Sequence, residues 1–259
     1  MKRLRTLFFA FIVPFITLGA GLIEAAPKEK IIEFSDALGS AVLYTPRGKK
    51  ADTGVIVVHE WWGLNDYARN RARQLANEGY AAIAVDMYGH GKVATHPKDA
   101  TAFMNAALAE PEKMNARFNA AKAELEKLKK VDRIFAIGYC FGGAVVLNQA
   151  RMGNDLAGVA SFHGSLGTQT PAQEGKVKAK VLVATGGADP MVPAKQVGDF
   201  VTEMGEAGVN LQLLSFPGVL HSFTNPDATA KGKETGLPVA YDEAADKQSW
   251  SALMRFLKE

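Results

Sequence analysis

Ile134-Phe135-Ala136-Ile137-Gly138-Tyr139-Cys140-Phe141-Gly142-Gly143 decides how the chain is read. An apolar β run meets a glycine-rich turn, and an apolar helix follows to about Met152. Glycines on both sides of Cys140 permit a tight strand-to-helix turn where a Cβ would crowd its neighbours. The turn lifts the cysteine above the sheet edge. It also places the sulfur at a helix N-terminus, where the dipole and free N–H groups favour a thiolate. This is Gly-x-nucleophile-x-Gly in the strand–helix context that such an elbow requires. A buried, inert cysteine in a packing turn shares the local pattern.

Outward from the elbow, strands and helices alternate. Ile31–Phe34 and Ser40–Tyr44 read as a hairpin around Leu38-Gly39, and Gly54–Val58 and Ala81–Val85 as strands. Asn65 or Asp66 caps the helix between the last two, which ends at Gly79. Met114, Phe118, Ala121, Leu125 and Leu128 recur at helical spacing. Ala157–Phe162, Lys180–Thr185 and Asn210–Ser215 are further strands. Val197, Val201 and Met204 mark a helix, and Trp250, Leu253, Met254 and Leu257 mark the last one. Asn225–Pro238 is polar and reads as a long surface loop. Strands separated by helices predict an α/β fold, a mostly parallel, doubly wound sheet with helices on both faces. One domain is expected over residues 27–259.

Residues 1–25 read as a signal peptide. Lys2, Arg3 and Arg5 precede an apolar stretch from Leu7 to Leu18, and small residues up to Ala25 and Ala26 follow. The apolar stretch is shorter than the roughly 20 residues of a spanning helix. The expectation is cleavage after Ala25 or Ala26 and export to the periplasm or medium. An uncleaved anchor is the alternative.

The chain has 259 residues, 47% hydrophobic and 22% charged, which is ordinary globular composition. One cysteine excludes a disulfide scaffold. A formal net charge of +3 is too balanced for a nucleic-acid surface. We expect a monomer without nucleic-acid partners or stable membrane insertion.

A cysteine nucleophile needs a base and a residue that orients the base. Asp189 follows the strand Val181-Leu182-Val183-Ala184-Thr185, and His221 follows Leu211-Gln212-Leu213-Leu214-Ser215-Phe216. Both lie past strand C-termini, the edge where doubly wound sheets bind ligands. Each alone also suits an ordinary turn. Together with Cys140 they keep the order nucleophile, acid, histidine. His59, His90, His96 and His163 are scattered. His59-Glu60-Trp61-Trp62-Gly63 lacks HExxH zinc spacing, and no dinucleotide or Walker glycine loop is present. No metal and no cofactor are expected.

Several motifs together resemble the dienelactone hydrolase family, the cysteine branch of the α/β-hydrolases. They are His59-Glu60-Trp61-Trp62-Gly63, Gly79-Tyr80-Ala81-Ala82, Asp86-Met87-Tyr88-Gly89, the Gly138–Gly143 elbow, Asp189 and His221-Ser222-Phe223. The resemblance runs from about Ile31 to the C-terminal helix. It implies an α/β-hydrolase fold that cleaves small esters or lactones through a thioester. Cys140 would be the nucleophile, His221 the base, Asp189 its orienting acid and Glu60 a carboxylate beside the resting thiol. An ion pair of Glu60 with Arg69 or Arg71 is the alternative for that residue. Backbone N–H groups of Trp61 and Phe141 would bind the oxyanion. Trp62, Tyr88, His90, Tyr139, Ser222 and Asn225 are expected to line the substrate pocket. Characteristic members hold a substrate carboxylate with two arginines, whose positions here are His90 and Asn225. That departure favours less acidic esters or lactones. A general thiol-dependent carboxylesterase and a non-catalytic ligand-binding protein are the other readings.

Overall fold

The computed structural model describes residues 26–259 apart from Asp36 and Lys49. The segment read as a signal peptide lies outside the described residues.

Eight strands form one sheet, in the order β1 (Lys28–Glu33), β2 (Ser40–Thr45), β4 (Ala81–Val85), β3 (Thr53–Val58), β5 (Arg133–Tyr139), β6 (Gly158–Phe162), β7 (Lys180–Gly186) and β8 (Leu211–Phe216). The β1–β2 and β2–β4 pairs are antiparallel, and every pair from β4 through β3 to β8 is parallel. Strands β3 to β7 are apolar and almost fully buried, as a sheet covered on both faces demands.

Helices α1 (Asp66–Asn77) and α7 (Glu243–Phe256) pack on one face, with Val55, Val57, Phe135, Ile137 and Tyr139 beneath them. Helices α3 (Pro111–Glu126), α4 (Phe141–Arg151) and α5 (Ala194–Glu206) cover the other, over Ile56, Val58, Ile134 and Ala136. The division follows the alternation of side chains along each strand. Helix α2 (Pro97–Leu108) packs beside α3. Asn65 caps α1, its side chain accepting from the Ala68 N–H at 3.3 Å.

Within Asn225–Pro238, the sequence suggests a loop, but Ala228–Thr235 forms helix α6. The octet Ala-Thr-Ala-Lys-Gly-Lys-Glu-Thr has no apolar periodicity to announce a helix. Tertiary pairing holds it instead. His221 bridges Val239 in parallel, and the Ala240 N–H donates to the His221 carbonyl at 3.1 Å. A Cβ at Gly232 would sit 2.4 Å from the Val239 carbonyl oxygen, so the helix can lie this close only with glycine there.

The connection leaving β3 goes to β4 on one side, whereas β5 flanks β3 on the other. That reversal opens a crevice at the strand C-termini. Its tightest point is the β5–α4 turn. A Cβ on Gly138 would meet the Gly142 carbonyl oxygen at 2.0 Å. Gly138→Ala is expected to cost about 3 kcal/mol or more. Gly198→Ala, with nothing within 4 Å of its Cβ, should be neutral or stabilise by about 0.5–1 kcal/mol. Denaturant unfolding of both variants checks this, and equal stabilities would contradict the packing assigned to the elbow.

Candidate active site

The elbow is built by backbone crowding. Cys140 has φ 51° and ψ −115°, a conformation that a residue with a Cβ rarely adopts. Its N–H donates to the Phe162 carbonyl at 3.0 Å, and the Gly142 N–H donates to the His59 carbonyl at 3.1 Å. The second bond draws α4 against the loop after β3, and a Cβ on Gly142 would lie 2.3 Å from the Val58 carbonyl oxygen. Cys140, half-buried, therefore stands at the first turn of α4, where backbone donors lack intrahelical partners.

Asp189 and His221 arrive from the loops after β7 and β8. His221 Nδ1 lies 2.7 Å from Asp189 Oδ2, and Asp189 Oδ1 accepts the Met191 N–H at 2.8 Å. Both side chains are almost wholly buried. With Nδ1 taken, Nε2 is the ring atom free for Cys140, and it has no regular hydrogen-bond partner. Burial alone would lower the imidazole pKa. The Cys140 sulfur beside it and the Asp189 hydrogen bond outweigh that, and the pKa rises from 6.5 to about 10.

Glu60 is fully buried within the same cluster. Ser222 Oγ donates to Oε1 at 3.0 Å and Asn225 Nδ2 to Oε2 at 2.6 Å. Burial raises its pKa, and these two donors only partly offset the rise. Arg71 bonds elsewhere, to the Thr224 carbonyl and to Asp246 Oδ1 at 2.6 Å. The alternative of an arginine ion pair thus gives way to a hydroxyl and an amide.

A cleft of ≈ 1180 Å³ opens over Cys140. Cys140, His221, Trp61, Trp62, Phe141, Ser222 and Asn225 all line it. Three expected pocket residues stand differently. Tyr139 belongs to the opposite face of the sheet, stacked on Phe162 at 5.0 Å between ring centres, because it is odd in the same register as Phe135 and Ile137. His90 is exposed and lies beside Glu33, Phe34 and Ser40, on the turn that Asp86 holds by accepting the Tyr88, Gly89 and Gly91 N–H groups. Tyr88 lies behind the cleft wall, packed on His59 and Phe141, its hydroxyl donating to the Trp61 carbonyl at 2.9 Å. Ser222 and Asn225 do face the cleft, but their donors are engaged by Glu60.

Sequence reading missed a buried support behind His221. The Thr224 hydroxyl bonds Tyr67 at 2.6 Å and His163 Nε2 at 2.8 Å, and the His163 ring packs edge-on to His221 at 5.1 Å. Tyr67 and Arg71, one turn apart on α1, are its only hint in the sequence. His59 is likewise structural, its Nδ1 on the Glu60 carbonyl and its Nε2 accepting the Met87 N–H at 3.1 Å. Among the described residues, no three His, Cys, Asp or Glu side chains group as metal ligands.

The profile of the Dienelactone hydrolase family matches residues 40–259. A solved dienelactone hydrolase-like promiscuous phosphotriesterase from metagenomic libraries is 30% identical, with TM-score 0.80, over 90% of this chain and 98% of its own. A Saccharolobus solfataricus protein assigned by name as a carboxymethylenebutenolidase is 27% identical over 89% of this chain and 98% of its own. Protein usf of Aquifex pyrophilus is 27% identical over 83% of this chain and 92% of its own. With the elbow, the sheet order and the profile in agreement, the chain belongs to the dienelactone hydrolase family.

Proposed function

We propose that the protein hydrolyses small esters or lactones through a Cys140 thioester. The observation that carries this reading is the buried Asp189–His221 pair, with Nε2 left for a cysteine at the start of α4. The relatives assigned as carboxymethylenebutenolidases support an ester-type hydrolase.

Cys140 gives its proton to His221 Nε2, and Asp189 holds the resulting imidazolium. The raised imidazole pKa favours this charge separation. The thiolate attacks the carbonyl carbon. The oxyanion forms where the Phe141 and Trp61 N–H groups can donate, and fixed donors at that point are worth more than water. The tetrahedral intermediate collapses, the C–O bond breaks, and His221 protonates the departing alkoxide. His221 then takes a proton from water, hydroxide adds to the thioester, and the thiolate leaves as the acid product is released. In a lactone the alcohol stays tethered to the acyl chain throughout.

Glu60 is a carboxyl held beside this proton transfer and is not a second acceptor in it. Its burial favours the protonated form, and the Ser222 and Asn225 donors oppose that preference. Because Asn225 stands where characteristic members carry arginine and is bound to Glu60, a substrate carboxylate finds no bidentate cation there.

Three measurements test these roles. Cys140→Ala is expected to lower kcat/KM for p-nitrophenyl acetate at least about 1,000-fold, and turnover surviving in the variant would remove the cysteine mechanism. By NMR, His221 should titrate near 10 in the native protein and at clearly lower pH in Cys140→Ala, which lacks the stabilising sulfur. Equal values in both proteins would separate the two residues. For Glu60 the folded pKa lies above the unfolded 4.5. Its contribution to stability is therefore fully present below 4.5 and is lost as pH rises through the folded value. The melting temperature of Glu60→Gln should gain on the native protein as pH rises from 4.5, and the opposite trend would mean that the site favours the charged carboxylate.

A further inference from the structure

The cleft is much larger than a small lactone requires, and its shape follows one helix. Cys140, Ala144, Asn148 and Met152 recur every four residues and all line it. Residues at this spacing share one face of a helix. The stripe therefore forms a floor running from the nucleophile for roughly 18 Å along α4, at 1.5 Å per residue. Met104 and Leu108 of α2 and Met114 of α3 line the same cleft. Ligand pockets commonly span about 300–1,000 Å³, and this cleft has ≈ 1180 Å³.

Its exposed surface is unusually apolar. Six large hydrophobic side chains are exposed among the described residues, and three of them, Leu108, Met152 and Met191, line this cleft. Clustered exposure of that kind marks a binding surface. The unbranched methionines adapt to a flexible ligand.

The charged residues along the cleft do not favour a small anionic substrate. Arg151 is held by both Glu203 oxygens at 2.7 and 2.8 Å and by the Leu166 carbonyl at 2.7 Å. Lys231 bonds Glu234 at 3.0 Å and lies 5.8 Å from the Trp62 ring centre, at the α6 end. Lys176 packs beside Gly153, past the last residue of α4, at the other end. Asn225 and Ser222, near the nucleophile, are engaged by Glu60.

Direction follows from the chemistry. His221 protonates the leaving alkoxide, so the alcohol sits on the His221 side, walled by α6 and by Val239, which bridges His221. The acyl group extends the other way, over Ala144 and Asn148. We infer that the α4 groove is an acyl channel and that the preferred substrates are neutral esters or lactones of medium to long aliphatic acids. This rests on the Cys140 hydrolase reading and specifies its substrate class.

The test is a series of p-nitrophenyl esters from acetate through octanoate to laurate, each below its micelle-forming concentration. The full chain and its Cys140→Ala, Asn148→Trp and Met152→Trp variants are compared. In the native protein kcat/KM should rise about tenfold or more from acetate to laurate, because each methylene entering the groove leaves water. An indole at Asn148 blocks the channel two turns from the sulfur, and one at Met152 blocks it a turn further along. Asn148→Trp should therefore lower both the octanoate-to-acetate and the laurate-to-acetate ratios at least fivefold, whereas Met152→Trp should lower only the laurate ratio. Mere destabilisation would change every ester alike. A flat or falling profile with Cys140-dependent acetate turnover overturns the channel and leaves the hydrolase reading intact. Ratios unmoved by both tryptophans overturn the channel's location on α4. No Cys140-dependent turnover of any ester overturns the hydrolase reading and the channel with it.

Discussion

The close approach of two backbones at the β5–α4 turn controls everything above the sheet. Gly142 reaches the carbonyl of His59, and Gly138 passes under the carbonyl of Gly142, at distances no Cβ permits. Closing this gap brings the start of α4 and the loop after β3 together. The gap forces Cys140 into a positive φ, and the cost is borne by the surrounding packed sheet. It also brings Trp61 and Phe141, from two different elements, into the cleft that Cys140 lines.

The second constraint is electrostatic. Glu60, Asp189, His221 and Arg71 are all buried close to one another, and a buried charge survives only with partners. Each has found them across distant segments. Arg71 joins α1 to Asp246 of α7 and to the Thr224 carbonyl. That fastening holds the 221–225 turn, which in turn presents His221 to Cys140 and Ser222 and Asn225 to Glu60. His221, Glu60 and the 221–225 turn thus belong to one hydrogen-bonded assembly. A change at any member would be felt at the others.

Much of the fold was legible because it rests on local rules. Apolar runs, glycine breaks and the Asn65 cap place β2 to β8 and α1 within about two residues of where they stand, whereas β1, expected at Ile31–Phe34, lies at Lys28–Glu33 because an exposed edge strand carries polar residues and pairs through its backbone. Helix α6 escaped, since pairing of His221 with Val239 stabilises it and not its own pattern. The Cys140, Asp189 and His221 roles were suggested by their places after strand ends, and the structure brings the three together. Tyr139 flanks Cys140 in sequence, and His90 holds the position of a family arginine, but neither lines the cleft. A strand sends adjacent side chains to opposite faces, so Tyr139 points away from the cleft that Cys140 enters. His90 lies on a turn that carries it towards β1 and β2.

The sequence by itself determined the α/β alternation, the elbow around Cys140 and the placing of Asp189 and His221 after strand ends, because strand periodicity, helix capping and glycine-only geometry act over a few residues. Only the tertiary structure decided what Glu60 bonds, which aromatic rings face the cleft and how far the cleft extends along α4. Those features depend on side chains more than a hundred residues apart, such as Glu60 and Asn225. Their meeting is set by the twist and packing of the whole sheet, and no local spacing encodes it.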